Sequence, residues 1–287
     1  MTNFKQLPRL KRHETFSIRE GWIEKAINII PNNPNALKKD NGPVEFGLGS
    51  NMVKSLRYWL EAADIASFSQ GIAELTEFGE VLRRHDRFLN NDFSWLLIHL
   101  NIAASLKEDA PVFNMFFNGD YSGLDKEIIV RNMKNAIEDQ FGKDSINESS
   151  LESDVSVLYR TYFKDALTNP EENLDCPLAR LGLVNVRNRK IDKCSLKIDN
   201  NTCLAVYYSL IKCFDGLKKI SANIEDVFDK DNNPLKLLNL SKSALFLMLE
   251  ELKQKKLISF IKTAGLNTIE INKILTIEEL YTLSEED

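Results

Sequence analysis

Phe46-Gly47-Leu48-Gly49-Ser50-Asn51-Met52-Val53-Lys54-Ser55-Leu56-Arg57-Tyr58-Trp59-Leu60-Glu61-Ala62-Ala63 is the stretch on which the fold reading turns. Met52, Leu56, Trp59, Leu60 and Ala63 recur on one face at helical spacing, so a helix is predicted, with Ser50 as its N-cap and a glycine-bearing turn as its entrance. Directly after it, Ile65 to Ser69 and Ile72 to Leu75 read as two short strands around Gln70-Gly71. Thr76 then caps another helix through Leu82. Helix, turn, helix and hairpin follow one another in the order of a winged-helix module.

Working outward, Thr15 to Ile30 carries Phe16, Arg19, Trp22, Ile23, Ala26, Ile27 and Ile30 along one stripe, which predicts an amphipathic helix stopped by Pro31 and Pro34. Phe93 to Leu106, Val112 to Phe117, Leu124 to Phe141 and Leu151 to Leu167 read as helices separated by Pro, Gly, Asn and Ser-rich turns, with Phe113, Phe116 and Phe117 as core. Cys176 to Leu183 leads through a charged, hairpin-like stretch into an apolar helix, Cys203 to Phe214. The early pattern then recurs. Ile224 to Phe228 is a short helix, Ser241 to Lys255 a capped one, and Leu257 to Thr263, Ala264-Gly265 and Leu266 to Ile271 a second wing. The expected fold is mainly α, with a winged-helix module near each end, a helical middle and short β-hairpin wings. The expected divisions are 1–90, 91–172 and 173–287.

Length and composition agree with two or three packed units: 287 residues, 43% hydrophobic and 28% charged. The polar, basic start and the lack of a long apolar run lead to the expectation of a cytoplasmic chain without a membrane span. Cys176, Cys194, Cys203 and Cys213 lack the paired spacing of a zinc site, and His13, His85 and His99 form no metal motif. Neither metal nor cofactor is expected. Net charge is −5, yet residues 1–60 hold ten Lys/Arg against five Asp/Glu, while residues 61–140 hold seven against fourteen. A basic N-terminal face suits nucleic acid, because only the local field matters at contact.

In a helix-turn-helix the second helix enters the major groove through its N-terminal turn and polar face. Opposite the apolar stripe stand Asn51, Lys54, Ser55 and Tyr58, with Ser50 at the start and Arg57 on the flank. Lysine and arginine pair with phosphates, asparagine pairs with adenine, and the free amides after Gly49 favour an anion. The basic arm adds Lys5, Arg9, Lys11 and Arg12. These residues make duplex DNA the expected partner, although the same pattern also suits a solvated helix or a protein-docking face. The second module has only Lys242 near its helix start, and its consecutive apolar run from Ala244 to Leu249 needs a second covering surface, with Phe246 the candidate protein-interface residue. Gly47-x-Gly49 lacks the third glycine of a dinucleotide fingerprint, and His13-Glu14 has no partner nucleophile in sequence, so no catalytic residue is assigned.

His13-Glu14-Thr15-Phe16, Arg19, Gly21-Trp22, the run Leu48 to Leu60, Leu75-Thr76-Glu77-Phe78-Gly79 and Cys176-Pro177-Leu178 together resemble the bacterial domain of unknown function 4007. Ser50 stands where many members carry lysine, which removes one possible phosphate contact. The resemblance implies a place in bacterial anti-phage defence, beside a phosphoadenosine-phosphosulfate-reductase-like, sulfurtransferase-type enzyme of the kind used in DNA phosphorothioation. It implies no catalytic residues. An accessory DNA-binding or scaffolding subunit is therefore expected, with a transcriptional regulator of the operon or a pure protein adaptor as the alternatives.

Overall fold

A computed structural model describes residues 4–105, 109–163, 176–217, 220–263 and 266–285. The chain is mainly helical with small antiparallel sheets, and it divides into two compact units, 1–194 and 195–287. No helix among the described residues is long and apolar enough to cross a membrane.

The first unit begins with an irregular arm and then runs through α1 (Trp22–Ile29), α2 (Gly42–Phe46) and α3 (Ser50–Ala62). The hairpin β1 (Ala66–Ser69) and β2 (Ile72–Leu75) follows, then α4 (Glu77–His85). The helix expected from Thr15 starts only at Trp22. Gly21 just before it adopts φ 76°, a left-handed conformation that suits glycine, and the Phe16 carbonyl accepts from Trp59 Nε1 at 3.0 Å rather than joining a helical ladder. Thr76 caps α4 as expected, accepting from the Gly79 amide at 3.1 Å. Gly79 itself lies so close to the Ile65 carbonyl that a Cβ there would come within 2.1 Å of the oxygen, so α4 packs on the hairpin only with glycine at this position.

Next come α5 (Asp92–Ala104), α6 (Pro111–Asn118), the short strand β3 (Leu124–Asp125), α7 (Lys126–Phe141) and α8 (Glu148–Tyr162). A 3-10 turn at Pro177–Leu181 leads to β4 (Val184–Arg187) and β5 (Lys190–Lys193), which join β3 in the order β3-β5-β4. The end of the helix expected over Leu151 to Leu167 lies outside the described residues. Asp86 organises the entry to α5, because its carboxylate accepts from the Asn90 and Asn91 amides and from Ser94 Oγ at 2.6 to 3.0 Å. Every α5 residue from Phe93 to Ala104 is buried. The core expected at Phe113, Phe116 and Phe117 is present, all three rings being fully enclosed.

The second unit contains α9 (Asn200–Leu217), β6 (Ser221–Asn223), α10 (Ile224–Phe228), α11 (Pro234–Leu237), α12 (Lys242–Gln254), β7 (Ile258–Thr263), β8 (Leu266–Ile271) and α13 (Ile277–Ser284). Strand order is β6-β8-β7, all antiparallel. The expected turn at Ala264-Gly265 lies outside the described residues. Ser241 caps α12 by accepting from the Ala244 amide at 3.1 Å. α12 packs against α9 on one side and β7 on another, which buries Leu245, Met248, Leu249 and Leu252, while Leu247 of the same apolar run stays exposed.

Candidate nucleic-acid interface

The entrance to α3 is built by two glycines with different tasks. Gly47 ends α2 in a left-handed conformation, φ 64°, and Gly49 is extended at the N-cap. Ser50 is therefore the first helical residue and not the cap, and no side chain caps this end. The leading amides of α3 are left for another acceptor. Ser50, Asn51 and Lys54 are exposed, as expected of a contact face. Lys54 Nζ lies 3.3 Å from Asn51 Oδ1 and 3.3 Å from Glu14 Oε1, so one carboxylate already competes for it. Arg57 is half-buried, with its guanidinium 4.4 Å from the centre of the Phe68 ring on β1, a cation-π contact that fixes the head group between helix and hairpin.

Two expected contact residues face the other way. Ser55 is buried, its Oγ 3.4 Å from the Phe16 carbonyl, and Tyr58 is buried beneath the N-terminal arm. The physical reason is that the arm crosses α3 and covers a face that the helical wheel leaves to solvent. Tyr58 meets the rings of His13 (5.6 Å) and Trp59 (4.9 Å), and Arg12 sits 5.5 Å over it. Burial, with a smaller push from Asp154, holds the Tyr58 hydroxyl far above its ordinary range, so it stays neutral.

The arm is likewise only half available. Arg12 donates to Glu61 and Asp109, both at 2.7 Å. Burial lowers its pKa, but the two carboxylate hydrogen bonds outweigh this and the net shift is upward. Arg12 is thus committed inside the unit. Lys11 keeps an exposed side chain, while its backbone amide donates to both Asp154 oxygens at 3.0 Å. His13 lies against Asp154 in the same cluster, so its partner is a carboxylate far along the chain. The pair is closed to solvent, and the cluster Arg12, His13, Tyr58, Glu61, Asp109 and Asp154 serves to strap the arm down.

Lys38 is an addition that local sequence does not announce. It is exposed, and a Cβ at Gly71 on the hairpin turn would lie 3.4 Å from its Cε. The Ala73 amide donates to the Pro34 carbonyl at 2.8 Å, which ties the loop to the hairpin. A lysine pair, Lys38-Lys39, is visible in the sequence, but the tie that carries Lys38 to the hairpin turn is a tertiary contact.

In the second unit three cations on or just after α12 lie beside carboxylates. Lys242 pairs with Glu225 at 3.0 Å, Lys253 with Glu250 at 3.7 Å and Lys255 with Glu251 at 4.0 Å. Phe246 is half-buried, its ring 6.4 Å from Phe228 and 5.7 Å from Phe260. Among the described residues no group of three or more His, Cys, Asp or Glu side chains could hold a metal ion.

A family model described as a protein of unknown function, DUF4007, matches residues 10–285. No curated protein matches. Two solved structures are similar at 20% identity. One, titled "SspB crystal structure", aligns with a TM-score of 0.80 over 96% of this chain and 87% of its own. The other, "Magnesium ion-bound SspB crystal structure", aligns with a TM-score of 0.78 over 92% and 83%. At that identity the likeness establishes a common fold.

Proposed function

Because the chain belongs to the DUF4007 family, we propose that it is a DNA-binding or scaffolding subunit of a bacterial anti-phage defence system linked to DNA phosphorothioation or a related DNA modification, acting by binding and not by catalysis. Its partners in this reading are duplex DNA and other defence-operon proteins, a sulfurtransferase-like enzyme among them, in the cytoplasm. The family resemblance supports the setting. The residues support the DNA.

In this reading α2, the Gly47 to Gly49 turn, α3 and the hairpin β1–β2 form a winged helix whose α3 start meets the duplex. One observation carries it: an uncapped helix start bearing Ser50, Asn51 and Lys54, flanked by Arg57 braced on Phe68 and by Lys38 at the hairpin turn. Phosphates satisfy such amides and cations together. The second winged helix, α10 to β8, is then a docking module, since Lys242, Lys253 and Lys255 each lie beside a carboxylate and the apolar run of α12 leaves Leu247 exposed to a partner.

The test is a titration of labelled duplex at several salt concentrations. Counterion release contributes a slope of about 0.9 per phosphate contact. Lys54→Glu with Arg57→Glu should weaken binding and flatten the slope in a protein that remains folded. Absent binding at low salt, or binding indifferent to the double substitution, would reject the proposal.

A further inference from the structure

At the N-terminal end of α1 the first unit has a small concavity that the α3 face does not use. Its volume is about 250 Å³, and Arg19, Glu20, Glu24, Phe88, Asn90 and Arg180 contribute to its walls. That is below the roughly 300 Å³ at which pockets for drug-sized ligands begin, and it suits one planar ring system. Arg19 and Arg180 face Glu20 and Glu24, and Arg180 is bridged to Glu20, so the charges cancel and a phosphate gains little here.

The wall is mostly polar, with one exposed ring set into it. Phe88 is 58% exposed, and the Arg87 guanidinium lies 5.1 Å from its centroid. Trp95 forms another part of the wall, with its indole N–H donating to the Leu89 carbonyl at 3.0 Å. The Arg19 guanidinium is itself held over the Phe16 and Trp22 rings, at 5.5 and 5.9 Å, which limits its reach and fixes its donors. The one exposed ring face, that of Phe88, with donors and acceptors around it, suits a flat, neutral heterocycle with polar edges. That is the chemistry of a nucleobase.

We infer that this pocket receives a single nucleobase swung out of a duplex. The source of the base rests on the DNA-binding reading above. Lys25, on the same helix α1, reaches the Phe46 carbonyl at 3.4 Å, immediately before the turn into α3. Eight residues of helix span ~12 Å, the rise of about three or four base pairs. The pocket and the turn into α3 thus flank the same short helix, which makes a duplex held at α3 the source of the base in this reading.

Two measurements on the full chain test this independently. In the first, tryptophan fluorescence is followed while deoxyadenosine monophosphate or inorganic phosphate is added, with Phe88→Ala as the control for absorbance by the nucleotide. The nucleotide should quench the wild-type protein, phosphate should not, and Phe88→Ala should lose the effect. In the second, a short duplex with one bulged base should bind on the order of tenfold tighter than its fully paired counterpart, because the unpairing is already done. Phe88→Ala should erase that preference and leave paired-duplex affinity alone. Equal affinity for both duplexes, together with no Phe88-dependent quenching, overturns the pocket and leaves DNA binding by α3 standing. Phe88-dependent quenching without any duplex binding supports the pocket and overturns the DNA reading. If neither appears, both fall.

Discussion

His13 Nε2 and an Asp154 carboxylate oxygen stand 3.2 Å apart inside the first unit, with the histidine 2% and the aspartate 4% exposed. The distance is that of an ion pair, but the geometry is not that of a hydrogen bond, and neither ring nitrogen of His13 has a hydrogen-bond partner. The aspartate's aligned bonds come from the Lys11 amide, at 3.0 Å to each oxygen. Asp154 on α8 thus anchors an arm more than a hundred residues earlier in the chain. Arg160 on the same helix assists by donating to the Thr15 carbonyl at 2.8 Å.

Replacing that anchor should free the arm. Asp154→Ala leaves the Lys11 amide without its acceptor, and such a loss costs about 1–3 kcal/mol. Urea unfolding should show this loss, and trypsin should cleave after Lys11 and Arg12 earlier than in the wild type. An unchanged midpoint with an uncut arm would mean that Arg12 and Arg160 hold it unaided.

Stability and DNA binding should separate cleanly on the two sides of α3. Tyr58→Ala empties a buried aromatic site and should cost roughly 3–5 kcal/mol. Lys38→Glu, at the exposed hairpin turn, should leave the unfolding midpoint unchanged and weaken duplex binding at low salt. If Lys38→Glu binds as the wild type does, the hairpin does not contribute to the interface.

Adjacent residues on α12 should respond in opposite ways. Phe246→Asp places a carboxylate between the Phe228 and Phe260 rings, where burial of charge is costly, and the second unit should lose its cooperative unfolding. Leu247, 61% exposed one residue on, should accept aspartate with little change. The first unit's duplex affinity should survive both. Loss of duplex binding alone in a folded Phe246→Asp protein would make the second module the DNA reader.

Alkaline conditions should weaken the second unit at a defined residue. Burial, with Glu251 adding to it, pushes the Cys203 thiol up to about 12 from an ordinary 9.0. An acid with a raised folded pKa stabilises the fold fully below its unfolded value, and that contribution is lost as pH rises towards the folded one. Stability measured by urea from pH 8 to 10.5, which covers the lower part of the interval from 9.0 to about 12, should therefore decline above about pH 9, and Cys203→Ala should remove part of the slope. The same burial should keep Cys203 slow to react with iodoacetamide until the protein unfolds.

Much of the local structure is legible in the residues themselves. The β1–β2 hairpin follows from alternation around the Gln70-Gly71 pair, and Thr76 and Ser241 announce the starts of α4 and α12. Thr15 to Gly21 reads as helix and is not, because the Phe16 carbonyl is claimed by Trp59, forty-three positions away. Ser55 and Tyr58 fail as contact residues for a related reason. Helical spacing assigns faces relative to one core, whereas α3 is covered on a second face by an arm whose position Asp154 sets. The partial burial of Phe246 is likewise decided by rings on other elements, Phe228 and Phe260.

One consequence of α5 concerns motion. From Phe93 to Ala104 this helix has no side turned to solvent. Asn101 donates to the Ala63 carbonyl just beyond α3, Asn114 on α6 donates to the Ala103 and Ala104 carbonyls, and His99 meets the Tyr162 hydroxyl on α8 at 2.7 Å. A helix enclosed in this way cannot be reached by solvent through the fraying of any one neighbour. Its amides should be the last of the first unit to exchange with deuterium, at a rate set by global opening. Loosening of the arm, of the hairpin or of the ends of α3 therefore leaves α5 closed, and this helix opens only when the first unit does.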